Sequence, residues 1–212
     1  MYLASAMQVS SGEKDCDLLQ APNSITMGPS KEKRVIHISG SPGSGKTVLG
    51  QQLVDDDVEV IDTDELISDA EGQELYELRE TERHVDALVH WREIFLGNLR
   101  RAYDQARKHT LIFTGILNHY SPDGSVLEMP FPNTEKYFID LPLETLVRQF
   151  YTRYAKEVGD DAEFWSGVAN GRYNIPGSLD YLEEHRKEKL WHVEHDYELY
   201  SPESIAMKVT TQ

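Results

Sequence analysis

The run Gly40-Ser41-Pro42-Gly43-Ser44-Gly45-Lys46-Thr47 carries the most specific chemistry in this chain. It fits G-x-x-x-x-G-K-[ST] at every fixed position, the pattern of a loop that cradles phosphates. Its glycines open backbone conformations closed to other residues, so successive N–H groups can point into one concavity. That concavity leads into a helix N-terminus, which favours anions. Lys46 is placed to reach the β- and γ-phosphates of a nucleotide, and the Thr47 hydroxyl to bind Mg²⁺.

A second constellation follows in Asp62-Thr63-Asp64-Glu65-Leu66-Ile67. Two carboxylates, two residues apart, fall where a short strand ends and a helix begins. In open α/β sheets, ligands gather at the carboxyl ends of the strands. Asp62 or Thr63 could also cap the next helix, but a cap accounts for only one of the two carboxylates.

The flanking elements decide whether these residues can meet. Val35-Ile36-His37-Ile38 is a short β-branched run, as expected of a buried parallel strand. After Thr47, apolar residues at 49, 53 and 54 suit a helix packed on a sheet. Val58-Glu59-Val60-Ile61, Leu111-Ile112-Phe113, Tyr137-Phe138-Ile139 and Tyr197-Glu198-Leu199-Tyr200 supply four more candidate strands. Helical patterns separate them, and Ser201-Pro202-Glu203 is a sound helix start. Alternating strands and helices predict an α/β fold, a parallel sheet with helices on both faces.

Residues 71–108 have a helical pattern, with Gly72 and Gly97 arguing against a single unbroken helix. Several arginines punctuate this stretch. Most pair with nearby glutamates in solvent. Arg83 is the candidate to project into the cleft and hold an anionic substrate group. Gly115, at the end of the third strand, permits close approach of a ligand, or merely a bend. His185, His192 and His195 are expected on the surface of a helix, since no third ligand accompanies them. Tyr173, Tyr181, Trp191, Tyr197 and Tyr200 are expected to pack rather than stack on bases.

The chain has 212 residues, with 21 basic against 37 acidic side chains and a net charge of −16. That length supports one domain with a sizeable core. The acidity disfavours long nucleic acid as a partner. Cys16 is the only cysteine, which suits a reducing interior, and the expected location is cytoplasmic. No stretch approaches the roughly 20 apolar residues that span a membrane, and no secretory signal is evident at the start. Residues 1–31 are rich in small and polar residues and read as a disordered tail. The domain then occupies 32–212, with a lid and helical insert over roughly 155–196.

These motifs together resemble the P-loop kinases of small metabolites and nucleotides, such as shikimate, gluconate and nucleoside monophosphate kinases. Three segments carry the resemblance: Gly40 to Thr47, Ile61 to Ile67, and Tyr137 to Arg153. The resemblance implies a P-loop NTPase fold with strand order 2-3-1-4-5, and ATP and Mg²⁺ as cofactors. It places Thr47 and Asp62 near magnesium, Asp64 beside the acceptor, Arg148 near the base or phosphates, and Arg153 in the lid. Where shikimate kinases carry a glycine triplet, Thr114-Gly115-Ile116-Leu117 keeps only the first glycine.

The expected activity is transfer of the γ-phosphoryl group of ATP to a small acceptor, most simply a hydroxyl of a metabolite or nucleoside. Lys46 and the loop amides hold the triphosphate. Asp62 or Asp64 orients the hydroxyl and takes its proton. Arg153, with Arg148, closes over the developing charge. Two other readings stay open. One is a nucleotide or polynucleotide kinase acting on a modified base in DNA. The other is a regulatory P-loop ATPase or switch with a partner protein and no small acceptor. The sequence leaves the oligomeric state open.

Overall fold

A computed structural model describes residues 33–81, 84–115, 127–157, 159, 161–169 and 179–211. Its centre is a five-stranded sheet. The strands are β1 (Arg34–Gly40), β2 (Val58–Asp62), β3 (Thr110–Thr114), β4 (Glu135–Ile139) and β5 (Glu198–Tyr200). Their order is β2-β3-β1-β4-β5, and every pairing is parallel. The expected strand order is thus observed. β1 lies between β3 and β4 and is buried from Val35 to Gly40. Both faces of the strand are therefore covered, including the one that carries His37 and Ser39.

Successive β1 side chains point to opposite faces. Ile36 and Ile38 join one core with Leu49 and Leu53 of α1 (Lys46–Leu53) and Ile205 and Val209 of α7 (Pro202–Thr210). Val35 joins the other with Phe95 and Leu99 of α3 (His84–Gln105), and with Leu111, Phe113, Leu127 and Met129. Each fully buried aliphatic side chain stabilises the fold by about 1.5–3 kcal/mol. His37 and Ser39 share the parity of Val35, and both are buried. On this face, further along the strand, apolar packing therefore gives way to polar groups.

Helix α2 (Asp69–Glu80) ends before α3 begins at His84. The expected interruption falls between the two helices and not at Gly72 or Gly97, which sit inside α2 and α3 with open space around them. A glycine in a helix costs only about 1 kcal/mol, which packing elsewhere on the helix offsets. Helix α4 (Leu143–Glu157) follows β4, and α5 (Ala162–Ala169) and α6 (Leu179–Glu194) precede β5. Ser201 caps α7 by accepting from the Ser204 amide, with Pro202 in its first turn, as the sequence indicates. No helix among the described residues is long and apolar enough to cross a membrane.

Candidate active site

Parallel strands place their carboxyl ends on one edge. Gly40 lies in register with Ile139, and Thr114 with both Ile38 and Asp62. The loop 41–45 and a 3-10 turn, Thr63–Leu66, therefore rise side by side from that edge. The two constellations found in the sequence are neighbours because β2 and β1 flank β3.

The loop folds back through a hydrogen bond from the Ser44 amide to the Ser41 carbonyl at 3.0 Å. Gly43 and Gly45 have φ of 81° and 86°, in the left-handed region that glycine enters without strain. Gly45 is the N-cap of α1 and offers no side-chain acceptor. The first amides of that helix have no acceptor within the helix either, so an anion can satisfy them. Pro42 is exposed at the loop's tip, whereas Ser41 and Ser44 are buried.

Lys46 is half-buried and donates to the carbonyls of Gly40 at 2.6 Å and Ser41 at 3.4 Å. Burial pushes its pKa below the ordinary lysine value, against the opposing pull of Glu188, Asp64 and Asp62 in that order. Three carboxylates thus act on one ammonium, and two of them are the aspartates picked from the sequence. A polyphosphate offers the charge-assisted contacts that would draw Lys46 off these neutral carbonyls.

The Thr47 hydroxyl donates to Asp62 Oδ2 at 2.9 Å. Asp62 Oδ1 accepts from the Asp64 amide at 3.1 Å, capping the 3-10 turn. Asp62 thus caps the turn with one oxygen, one of the roles weighed in the sequence, while its other oxygen faces the loop. Two oxygen ligands together on the exposed side of the loop fit a hard cation such as Mg²⁺. Asp64 is exposed one residue beyond the buried Thr63.

Gly115 has a structural role. Its φ is 147°, and an added Cβ would lie 1.6 Å from Thr63 Oγ1. The missing side chain makes room for the 3-10 turn. The Thr63 hydroxyl is buried there, with no hydrogen-bond partner among the described residues.

On α4, the Leu146 carbonyl and Phe150 lie beside Gly43, so this helix backs the loop. Arg153 is seven residues beyond Leu146, about 20° from it around the helix, and shares its face. Arg148, two residues from Leu146, is about 200° away on the other side. Both are exposed. The Arg153 guanidinium lies 6.0 Å from the Tyr154 ring, within an aromatic stack that joins Phe150, Tyr154 and Phe164 of α5. Arg83 falls outside the described residues.

The sequence missed a polar seam between α6 and the loop. His185 and His192 are buried, which corrects the expectation of a surface helix. Ser41 Oγ lies 2.8 Å from His185 Nδ1 and donates to Glu188 Oε2 at 2.8 Å. A hydroxyl has one proton, so His185 Nδ1–H is the donor to Ser41. His192 Nδ1–H donates to the Glu188 carbonyl at 2.7 Å, and its Nε2 accepts from Ser39 Oγ at 2.7 Å. Tyr181 donates to the Pro42 carbonyl at 3.3 Å. Lys189 bonds both oxygens of Asp140 at 2.7 and 2.8 Å. Burial lowers the pKa of His185, reinforced by Lys189, which keeps the ring neutral. Residues 181, 185, 188 and 192 recur at helical spacing, a stripe that a search for apolar faces passes over. Among the aromatics, Tyr181 and Tyr197 are buried and Trp191 stacks on His195 at 4.1 Å, in keeping with a packing role.

The fold that carries this site is the P-loop NTPase α/β fold, with the five-stranded parallel sheet in the order β2-β3-β1-β4-β5. Shikimate kinase from Bacteroides thetaiotaomicron superposes with a TM-score of 0.51 and 19% identity, over 83% of this chain and 96% of that one. Shikimate kinase from Aquifex aeolicus gives a TM-score of 0.47 and 18% identity, over 82% and 92% of the two chains. Shikimate kinase from Acinetobacter baumannii, in complex with shikimate, gives 0.46 and 16%, over 84% and 90%. No family model matches the chain, and no curated protein does. At these identities the likeness is one of fold.

Proposed function

We propose that this protein is an ATP-dependent phosphotransferase that moves the γ-phosphoryl group to a hydroxyl of a small acceptor. One observation carries the reading: Thr47 of the glycine loop and Asp62 of β2 meet at 2.9 Å, beside Lys46. A phosphate cradle alone would serve any nucleotide-binding protein. A carboxylate pair facing the cradle adds what transfer to a hydroxyl requires.

The loop amides and Lys46 hold the polyphosphate, and Lys46 balances its charge. Magnesium would be held by Thr47 and Asp62 and would supply neutralisation of the phosphate charge. Asp64, exposed and unobstructed by the cap that engages Asp62, takes the acceptor-side role: it orients the hydroxyl and accepts its proton. Arg153, on the loop-facing side of α4, is the arginine placed to stabilise charge on the transferring group, ahead of Arg148. Most of the rate enhancement in such chemistry comes from positioning and electrostatics.

The test is a transfer assay. Purified protein, labelled ATP and Mg²⁺ are incubated with pools of polyols, sugars and nucleosides, and with oligonucleotides. Label moving to a small hydroxyl compound in the wild type, and absent with Lys46→Ala, supports the reading. Label on oligonucleotides alone, or release of phosphate with no acceptor dependence, overturns it in favour of a polynucleotide kinase or a switch ATPase.

A further inference from the structure

Gly40 sits between two serines whose hydroxyls are both fastened to α6. Ser39 donates to His192, and Ser41 is held by His185 and Glu188. The Gly40 carbonyl between them is the one on which Lys46 rests at 2.6 Å. Glu188 lies at the centre of this arrangement. Its carboxylate accepts a hydrogen bond from the Ser41 hydroxyl, and its backbone carbonyl accepts one from His192 Nδ1–H. The residues involved are withdrawn from water: Ser39 is 0% exposed, Ser41 1% and His192 0%.

Such a seam is a specific device. A buried hydroxyl bonded to a carboxylate is stronger than a neutral pair, and leaving either partner unsatisfied is costly. An apolar contact could have packed α6 against the sheet with less dependence on geometry. Glycine loops also have much backbone freedom to lose when they close on phosphate. A loop already fixed at one end loses less of it on binding.

We infer that Glu188 is a positioning residue for the nucleotide. Through Ser41, and with His185 and His192 completing the seam, it holds the start of the glycine loop in the shape that receives the polyphosphate. Nothing on Glu188 needs to touch the ligand. The ligand class is a nucleoside triphosphate, so the inference rests on the proposed function for its ligand, but not for its structural content.

Two measurements separate these. The first is hydrogen–deuterium exchange over residues 40–47 in the protein without nucleotide. Glu188→Ala and Ser41→Ala should exchange several-fold faster there than wild type, while Glu188→Gln, which keeps an oxygen acceptor for Ser41 but not its charge, should fall between wild type and the alanine variants. The second is calorimetric binding of MgATP and of adenosine. The two alanine variants should bind MgATP roughly tenfold more weakly, the scale of one charge-assisted hydrogen bond. Their affinity for adenosine should not change, and Glu188→Gln, which keeps the bond to Ser41 but removes a negative charge acting on Lys46, should bind MgATP more tightly than either alanine variant. Unchanged loop exchange in both alanine variants overturns the inference whatever the ligand. Faster exchange with unchanged MgATP affinity also overturns it, because the loop would then need no brace. A wild type that fails to bind MgATP sinks the proposed function through its own control. If Glu188→Ala does not fold, Ser41→Ala and Glu188→Gln still decide the matter.

Discussion

Thr47 and Asp62 stand 15 residues apart in sequence and share a hydrogen bond of 2.9 Å across the edge of the sheet. Neither residue could make it alone. Thr47 is set by the first turn of α1, and Asp62 by the last position of β2, where its other oxygen is already committed to the cap of the 3-10 turn. Asp62 is therefore held in place before any ligand arrives.

Replacing Thr47 with Ala removes one of the two oxygens proposed to hold Mg²⁺. Titration of Mg²⁺ at saturating ATP should show apparent metal affinity falling roughly ten- to a hundredfold, with Thr47→Ser close to wild type. A Thr47→Ala curve that overlays wild type would remove Thr47 from the metal's surroundings.

The two arginines of α4 make a direct comparison, because helical geometry separates their faces. Arg153→Ala should lower kcat by roughly a hundredfold, as loss of a group that stabilises developing charge does. Arg148→Ala should stay within a few-fold. The reverse ranking, read by steady-state kinetics, would place Arg148 at the phosphates.

Gly115→Ala distinguishes a structural glycine from a ligand contact. The added Cβ meets Thr63 Oγ1 at 1.6 Å, at a φ of 147°. Denaturant unfolding should show a loss of about 2–3 kcal/mol. Adding Thr63→Ala should recover part of it, since the worst overlap is with the hydroxyl. Full stability with only a raised acceptor KM would instead make Gly115 a ligand contact.

His37 gives a pH signature. It is fully buried, and burial together with the nearby His192 pulls its pKa from 6.5 down to about 3. The folded protein keeps the ring neutral where the unfolded chain would protonate it. Its contribution to stability is thus complete above pH 6.5, and is lost as pH falls from there toward about 3, at up to about 1.4 kcal/mol per pH unit. His37→Phe should flatten that part of the profile. An unchanged acid slope in the variant would assign the effect to other groups.

The glycine loop, the strand before it and the acidic pair were legible because each is a local pattern. Their meeting follows from parallel pairing, which brings strand ends to one edge. What the sequence concealed was long-range and polar. His185 reaches Ser41 across 144 residues, and a histidine facing a serine leaves no trace in apolar periodicity. The role of Gly115 was hidden for a similar reason: a glycine shows that space is needed, but not that Thr63 fills it. The faces of Arg148 and Arg153 could have been told apart from helical spacing once Leu146 and Phe150 were known to back the loop.

The proposed function requires the main-chain amides of residues 43–47 and the Lys46 ammonium to grip a polyphosphate. Calorimetric titration of MgATP into wild type and Lys46→Ala tests this most directly. Saturable binding to wild type, weakened at least a hundredfold in the variant, is the predicted result, because truncating a charged partner of a phosphate costs on that order. Equal affinity in the two proteins, or no binding to wild type, would contradict the account.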